Sequence, residues 1–179
     1  MNIALSRILV PVDFSPHSEV ALRYATALAR RLEVSLEILH VVEEPIAPRA
    51  WGSEIPIPDP SELRTKLIAE AERQLEQYRP ITEGSRVRTM TTVRMGQPAH
   101  AIAAYAQAGA CDLIVMGTHG RSSLAHLFMG SVAERVVRQA VCPVLTLREA
   151  TMRDTGELTF TPESAGWRSA LGHFGTSRE

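Results

Sequence analysis

"LIVMGTHGRSSLAHLFMGSVAERV" occupies residues 113 to 136. It opens on a β-type apolar run, Leu113 to Met116, and closes on a helical pattern that begins at Ser131. Between the two, Gly117, Gly120 and Gly130 punctuate a long, loop-like connection. A strand-to-helix connection needs roughly two to six residues, so chain reversal alone does not account for this segment.

Working outward, the same alternation of short apolar run and helical stripe recurs. "RILVPVDFS" (7–15) is a β-rich run closed by Asp, Ser and Pro. Ser15 is placed to cap a helix whose first position is Pro16, where a missing N–H costs nothing. Val20, Ala21, Tyr24, Ala25, Leu28 and Leu32 follow at helical spacing. "VSLEILHVV" (34–42) is apolar enough for a strand covered on both faces. Prolines 45, 48, 56, 58 and 60 then interrupt regular structure. "DPSE" (59–62) resembles a capping box, and Leu63, Leu67, Ala71 and Leu75 make the next helical stripe. "RVRTMTTV" (86–93) alternates as a strand nearer an edge does. Gly96 and Pro98 open a third helix that Gly109 closes. "PVLTL" (143–147) ends the series.

The order β-α-β-α-β-α-β-α-β predicts an α/β fold: a doubly wound, Rossmann-like parallel sheet of five strands, order 3-2-1-4-5, with helices on both faces. After Arg148 the pattern fades. Residues 1–148 are expected to form one nucleotide-binding domain and 149–179 a C-terminal tail. In that tail Trp167, Leu171 and Phe174 are spaced for a short helix docking on the core or on a partner.

The chain has 179 residues, with 45% hydrophobic and 22% charged, the composition of an ordinary globular protein. Lys plus Arg number 19 against 20 Asp plus Glu, with no basic stripe, which argues against a nucleic-acid partner. No apolar run approaches the roughly eighteen residues that span a bilayer. The N-terminus lacks a basic stretch leading into a long apolar one, so a cytoplasmic, non-membrane protein is expected. Cys111 and Cys142 form no CxxC and read as small packed thiols.

In such a sheet, ligands sit beyond the strand ends where the strand order reverses. That places Asp13 and the segment from Gly117 at one crevice. Glycines let backbone N–H groups approach a ligand, and Ser131 stands at a helix N-terminus, where unpaired amides suit phosphate. Arg121, Ser122 and Ser123 add donors. An alternative stays open on these residues alone. Ser131 with Glu134 spells a capping box that needs no ligand, Gly117 can simply turn the chain, and Asp13 can satisfy loop amides. His119 has no carboxylate or nucleophile placed beside it, and His17, His40 and His100 share no metal-ligand spacing.

The full spacing, Gly117-x2-Gly120-x9-Gly130-Ser131, resembles the G-x2-G-x9-G-(S/T) signature of the ATP-binding universal stress proteins. "ILVPVDFS", "LHVVEE", "DLIVMGTHGRS" and "GSVAERVVRQAVCPVLTL" resemble that family in the same order, over residues 3 to about 148. The resemblance implies an ATP site. Pro11, Val12 and Asp13 would border the adenosine, and Val41 would offer main-chain groups to the adenine ring. Gly117, Thr118, His119, Gly120, Arg121, Ser122 and Ser123 would wrap ribose and phosphates. Gly130, Ser131, Val132 and Ala133 would hold phosphates at the helix start, with Mg²⁺ or Mn²⁺ accompanying the triphosphate. It implies a stress-response regulatory module acting on a downstream protein. No catalytic residue is identified: a Walker lysine motif, HxGH and SGGxDS are all missing, which leaves at most slow hydrolysis. A dimeric interaction protein with a merely structural loop is the remaining alternative.

Strand five lies at the sheet edge in this order, and Val144, Leu145, Thr146 and Leu147 carry no charge to protect it. The resemblance implies a homodimer, two copies pairing strand five antiparallel across a two-fold axis. The rival cover is the tail folding back with Leu158 and Phe160.

Overall fold

Strand β1 (Arg7–Val12) is buried from Ile8 to Val12 and sits at the middle of the sheet, where its run of Ile, Leu and Val is covered on both faces. The computed structural model describes residues 5–44, 59–118 and 129–147. The proline-rich stretch after Glu44, the positions from His119 to Phe128 and the tail from Arg148 lie outside them. The elements that follow β1 are α1 (Pro16–Leu32), β2 (Ser35–Val42), α2 (Pro60–Leu75), a 3₁₀ turn (Glu76–Tyr78), α3 (Arg79–Thr82), β3 (Thr89–Met95), α4 (Pro98–Ala108), β4 (Leu113–Gly117), α5 (Ser131–Gln139) and β5 (Val144–Leu147). All pairings are parallel and the order is β3-β2-β1-β4-β5, the doubly wound arrangement expected.

Alternate residues of the strands feed two cores. Ile8, Val10, Leu36, Ile38 and Val115 pack with Ala21, Leu22, Ala25 and Ala29 of α1 and with Leu75 and Tyr78. Leu9, Leu39, Ile114 and Met116 pack on the other face with Ala99, Ile102 and Ala106 of α4 and Ala133 and Val136 of α5. Helices therefore cover both faces, which hides the backbone of the parallel sheet from water.

Local signals hold at several ends and fail at others. Ser15 caps α1, its side chain accepting from the Ser18 amide at 3.3 Å. Asp59 caps α2 by accepting from the Ser61 amide at 2.9 Å, but Glu62 pairs with Lys66 at 2.6 Å instead of closing a capping box. The buried stripe of α1 runs through Ala21, Leu22, Ala25 and Ala29, while Leu32 is 43% exposed. Small residues let α1 approach the sheet closely, so the contact line is rotated away from the bulkier Val20–Leu32 line. The 3₁₀ turn and α3 extend the α2 region past Leu75, because buried Tyr78 ties that segment to the α1 core.

One charge interrupts β2. Glu37 is 5% exposed; one carboxylate oxygen is 3.3 Å from Arg7 and the other has no hydrogen-bond partner among the described residues. Nearby, Asp112 accepts from the Ser6 amide and hydroxyl and the Arg7 amide at 2.7 to 2.9 Å. Those hydrogen bonds hold its carboxyl below the usual range and join the start of β1 to that of β4. Cys111 is buried, and burial pushes its thiol up to about 11; Cys142 is half-buried. Both thiols are packed and unactivated.

Candidate functional site

Gly117 ends β4, and Thr118 follows with its amide donating to the Leu147 carbonyl at 2.9 Å, which fixes the strand end against β5. Twelve positions later the Gly130 amide donates to the Thr118 carbonyl at 2.7 Å. Thr118 and Gly130 are thus hydrogen-bonded neighbours.

At the return point the helix begins differently from the capping-box alternative. Gly130 is the N-cap, with no side chain capping the helix, so Ser131 is the first helical residue. Glu134 reaches forward to Arg138 at 2.8 Å rather than back to the helix start. Among the described residues nothing accepts from the amides of Ser131, Val132 and Ala133. The first turn of an α-helix leaves such donors bare, and the helix dipole adds positive potential there. Gly130 has φ −61°, ψ 149°, a conformation open to any residue.

The C-terminal ends of β1, β2 and β4 and the start of α5 surround a cavity of about 560 Å³, within the 300–1,000 Å³ usual for small-molecule sites. Its lining brings together Pro11, Val12, Asp13, Val41, Gly117, Thr118, Gly130, Ser131, Val132 and Ala133. His119, Gly120, Arg121, Ser122 and Ser123 lie outside the described residues. A second cavity of about 850 Å³ opens at the opposite ends of the strands, among Arg30, Arg86 and Arg88. Arg30 stands in the last turn of α1, where basic groups complement the helix dipole, and none of the sequence-derived site residues is there.

Asp13 serves the loop as well as the cavity: its carboxylate accepts from the Ser15 amide at 3.1 Å and hydroxyl at 2.6 Å. Phe14 takes a left-handed conformation, φ 64°, and its ring lies 4.4 Å from that of His40 and 5.8 Å from that of Tyr78. A bulky residue at positive φ is strained and is held only by its surroundings. Here the aromatic cluster holds it and aims Asp13 at the crevice. His40 is buried, with Nδ1 2.8 Å from the Val12 carbonyl oxygen, so it braces the cavity floor.

Helix α2 supplies a wall that the sequence pattern did not reveal. Leu67, Glu70, Ala71 and Gln74, at i, i+3, i+4 and i+7, all line the cavity. Hydrogen bonds from Arg73 and Gln74 hold Glu70 down at about 2. Pro98 and Ile102 of α4, Met116 and Ser18 complete the lining. This α2 face is of mixed polarity, so no purely apolar stripe in the sequence marks it. The resulting charge distribution is one-sided. Carboxylates of Asp13, Glu43 and Glu70 line the β1, β2 and α2 side, and the start of α5 faces them from the β4 side. Among the described residues an anionic group is favoured at α5. Among the described residues no group of three His, Cys, Asp or Glu side chains could hold a metal ion, and no helix is long and apolar enough to cross a membrane.

Fold and cavity together define a doubly wound α/β protein with a small-molecule crevice at the switch point of its sheet. The model of the universal stress protein family matches residues 5–148, and the chain belongs to that family. Universal stress protein YxiE of Bacillus subtilis is 32% identical over 146 residues, covering 80% of this chain and 99% of that one. The solved structure of universal stress protein UspA from Lactobacillus plantarum is 32% identical and superposes with a TM-score of 0.68, over 82% of this chain and all of that one. Two structures at 22% identity share the fold, with TM-scores of 0.55 and 0.56; one was solved with cAMP and the other, from Archaeoglobus fulgidus, with dAMP.

Proposed function

We propose that this chain is an ATP-binding regulatory module of the universal stress protein family, acting in the cytoplasm as a homodimer whose nucleotide occupancy sets its choice of a downstream protein partner. The observation that carries this reading is the uncapped start of α5, whose Ser131, Val132 and Ala133 amides open into the cavity at the end of the Gly117-x2-Gly120-x9-Gly130-Ser131 signature. In this reading the adenosine lies along Pro11, Val12 and Asp13, with the adenine ring against the main chain at Val41. The phosphates reach across β4 to Gly130–Ala133, and the segment from Gly117 to Ser123 wraps ribose and phosphates. A largely apolar crevice with the amides of a helix start at one end and carboxylates at the other suits a ligand that is anionic at one end only. Mg²⁺ or Mn²⁺ would be carried by the phosphate oxygens.

Binding rather than turnover is the expected work. Phosphoryl transfer needs a positioned base or water-orienting group and fixed cations around the γ-phosphate. Asp13 is engaged with Ser15, and the resemblance supplies no such group. The test is mass spectrometry of the nucleotide released when the purified full-length protein is denatured. ATP is expected, with turnover far below the ~10 per second typical of enzymes. A protein that releases no nucleotide and takes up none on titration would instead be an interaction protein with a structural loop, a reading that the tight packing at Gly117 favours.

A further inference from the structure

The outer flank of α5 is apolar and bare. Val137 is 46% exposed, and Val141, four residues on and just past the helix end, is 68% exposed. Ala133 and Val136 turn inward to the sheet, while Val132 lies on the flank that faces the cavity. Val137 therefore lies away from the ligand site, and Val141 stands on the connection three residues before the edge strand β5. None of the described residues covers it.

Two valines are too small an area for a free-standing interface, which needs on the order of 1,000 Å². A segment of the same chain is under no such demand, because a tether of modest length supplies an effective concentration in the ~mM range. The segment 148–179 leaves from Leu147 on this same edge. In it Trp167, Leu171 and Phe174 recur at i, i+4 and i+7, and Thr161-Pro162 ahead of them carries N-cap and first-turn signals. Reach is ample. Extended chain covers up to about 3.3 Å per residue, so the connection to Trp167 spans several times the length of four-residue β5.

We propose that the Trp167–Phe174 segment docks in cis on the Val137–Val141 flank of α5, as an intramolecular clip over the helix. The aromatic pair covers the two valines, and the docked segment runs beside β5 without taking its pairing edge.

Trp167 reports on this directly. The chain has two tryptophans, so Trp51→Phe leaves Trp167 as the sole fluorophore of the full-length protein. Its emission should be that of a shielded indole. Adding Val137→Lys and Val141→Lys, both at exposed positions and so compatible with folding, should shift the emission to the red. Acrylamide quenching should rise at least twofold, with the circular dichroism and the molar mass unchanged. Emission typical of a solvated indole before the lysines are added would overturn the proposal. So would a molar mass that halves on adding them while Trp167 stays shielded, since that assigns the flank to a second copy.

Discussion

At Gly117 a methyl group would sit 3.0 Å from both the Cβ and the carbonyl oxygen of His17, in the first turn of α1. No positive φ is involved; the glycine is there because a helix backbone passes too close for a side chain. Gly117→Ala should therefore destabilise the fold by about 1–3 kcal/mol, the usual range for overpacking, and a denaturant titration will measure it. The signature makes Gly117 and Gly130 look equivalent, yet at Gly117 it is the backbone of α1 that excludes a side chain. Spacing reveals which residues recur, not which contact demands each of them. Phe14 and His40 illustrate the same limit. Each is an unremarkable aromatic in the sequence, and only the left-handed turn after β1 brings the two rings together below Asp13. Cys111 belongs to this scale too. With its thiol pushed up to about 11 by burial, it should react with iodoacetamide at pH 7 more slowly than half-buried Cys142, as peptide mapping of a time course would show.

Among the elements, strands and their order were readable because parallel, doubly covered strands leave continuous Ile, Leu and Val runs, and turn chemistry marks their ends. Helix faces were read less well. In α1 the close-packed line is of alanines, which carry little hydrophobic signal; in α2 the crevice face mixes Leu67 and Ala71 with Glu70 and Gln74. Glu37 is the other departure, a buried carboxylate in a strand apolar enough to be covered on both faces. Arg7→Met should lower the thermal midpoint by stranding that carboxylate, and adding Glu37→Leu should restore it, since a buried pair contributes less than apolar packing of similar volume. At the same end, Asp112 bonds the start of β1 in its ionised form. Its folded pKa lies below the unfolded value of about 3.9, so its contribution is complete above that pH and is lost as pH falls through the folded value. Asp112→Ala should thus be less stable than the unmodified protein at pH 7. The gap should close on acidification below about pH 3.9, as urea titrations at the two pH values will record.

For the whole molecule, the edge strand and the crevice make separate demands. Val144, Leu145 and Thr146 are only partly buried in β5, whose one described neighbour is β4. Pairing of β5 with a second copy would close that edge. Leu145→Lys should then turn a dimer into a monomer by light scattering, with ATP affinity changed only slightly, because the crevice is built within one chain. The fold itself follows from patterning, but the site depends on a contact that patterning does not show: the Gly130 amide on the Thr118 carbonyl, which holds the start of α5 and its amides at the strand ends. The central claim is that those amides hold phosphate. It is tested most directly by calorimetric titration of ATP into the unmodified protein and into Gly130→Val, whose backbone, at φ −61° and ψ 149°, accepts valine without strain. The variant should keep its thermal midpoint and bind ATP at least tenfold more weakly, about 1.4 kcal/mol. Equal affinity in the two folded proteins, or no binding heat in either, would contradict the account.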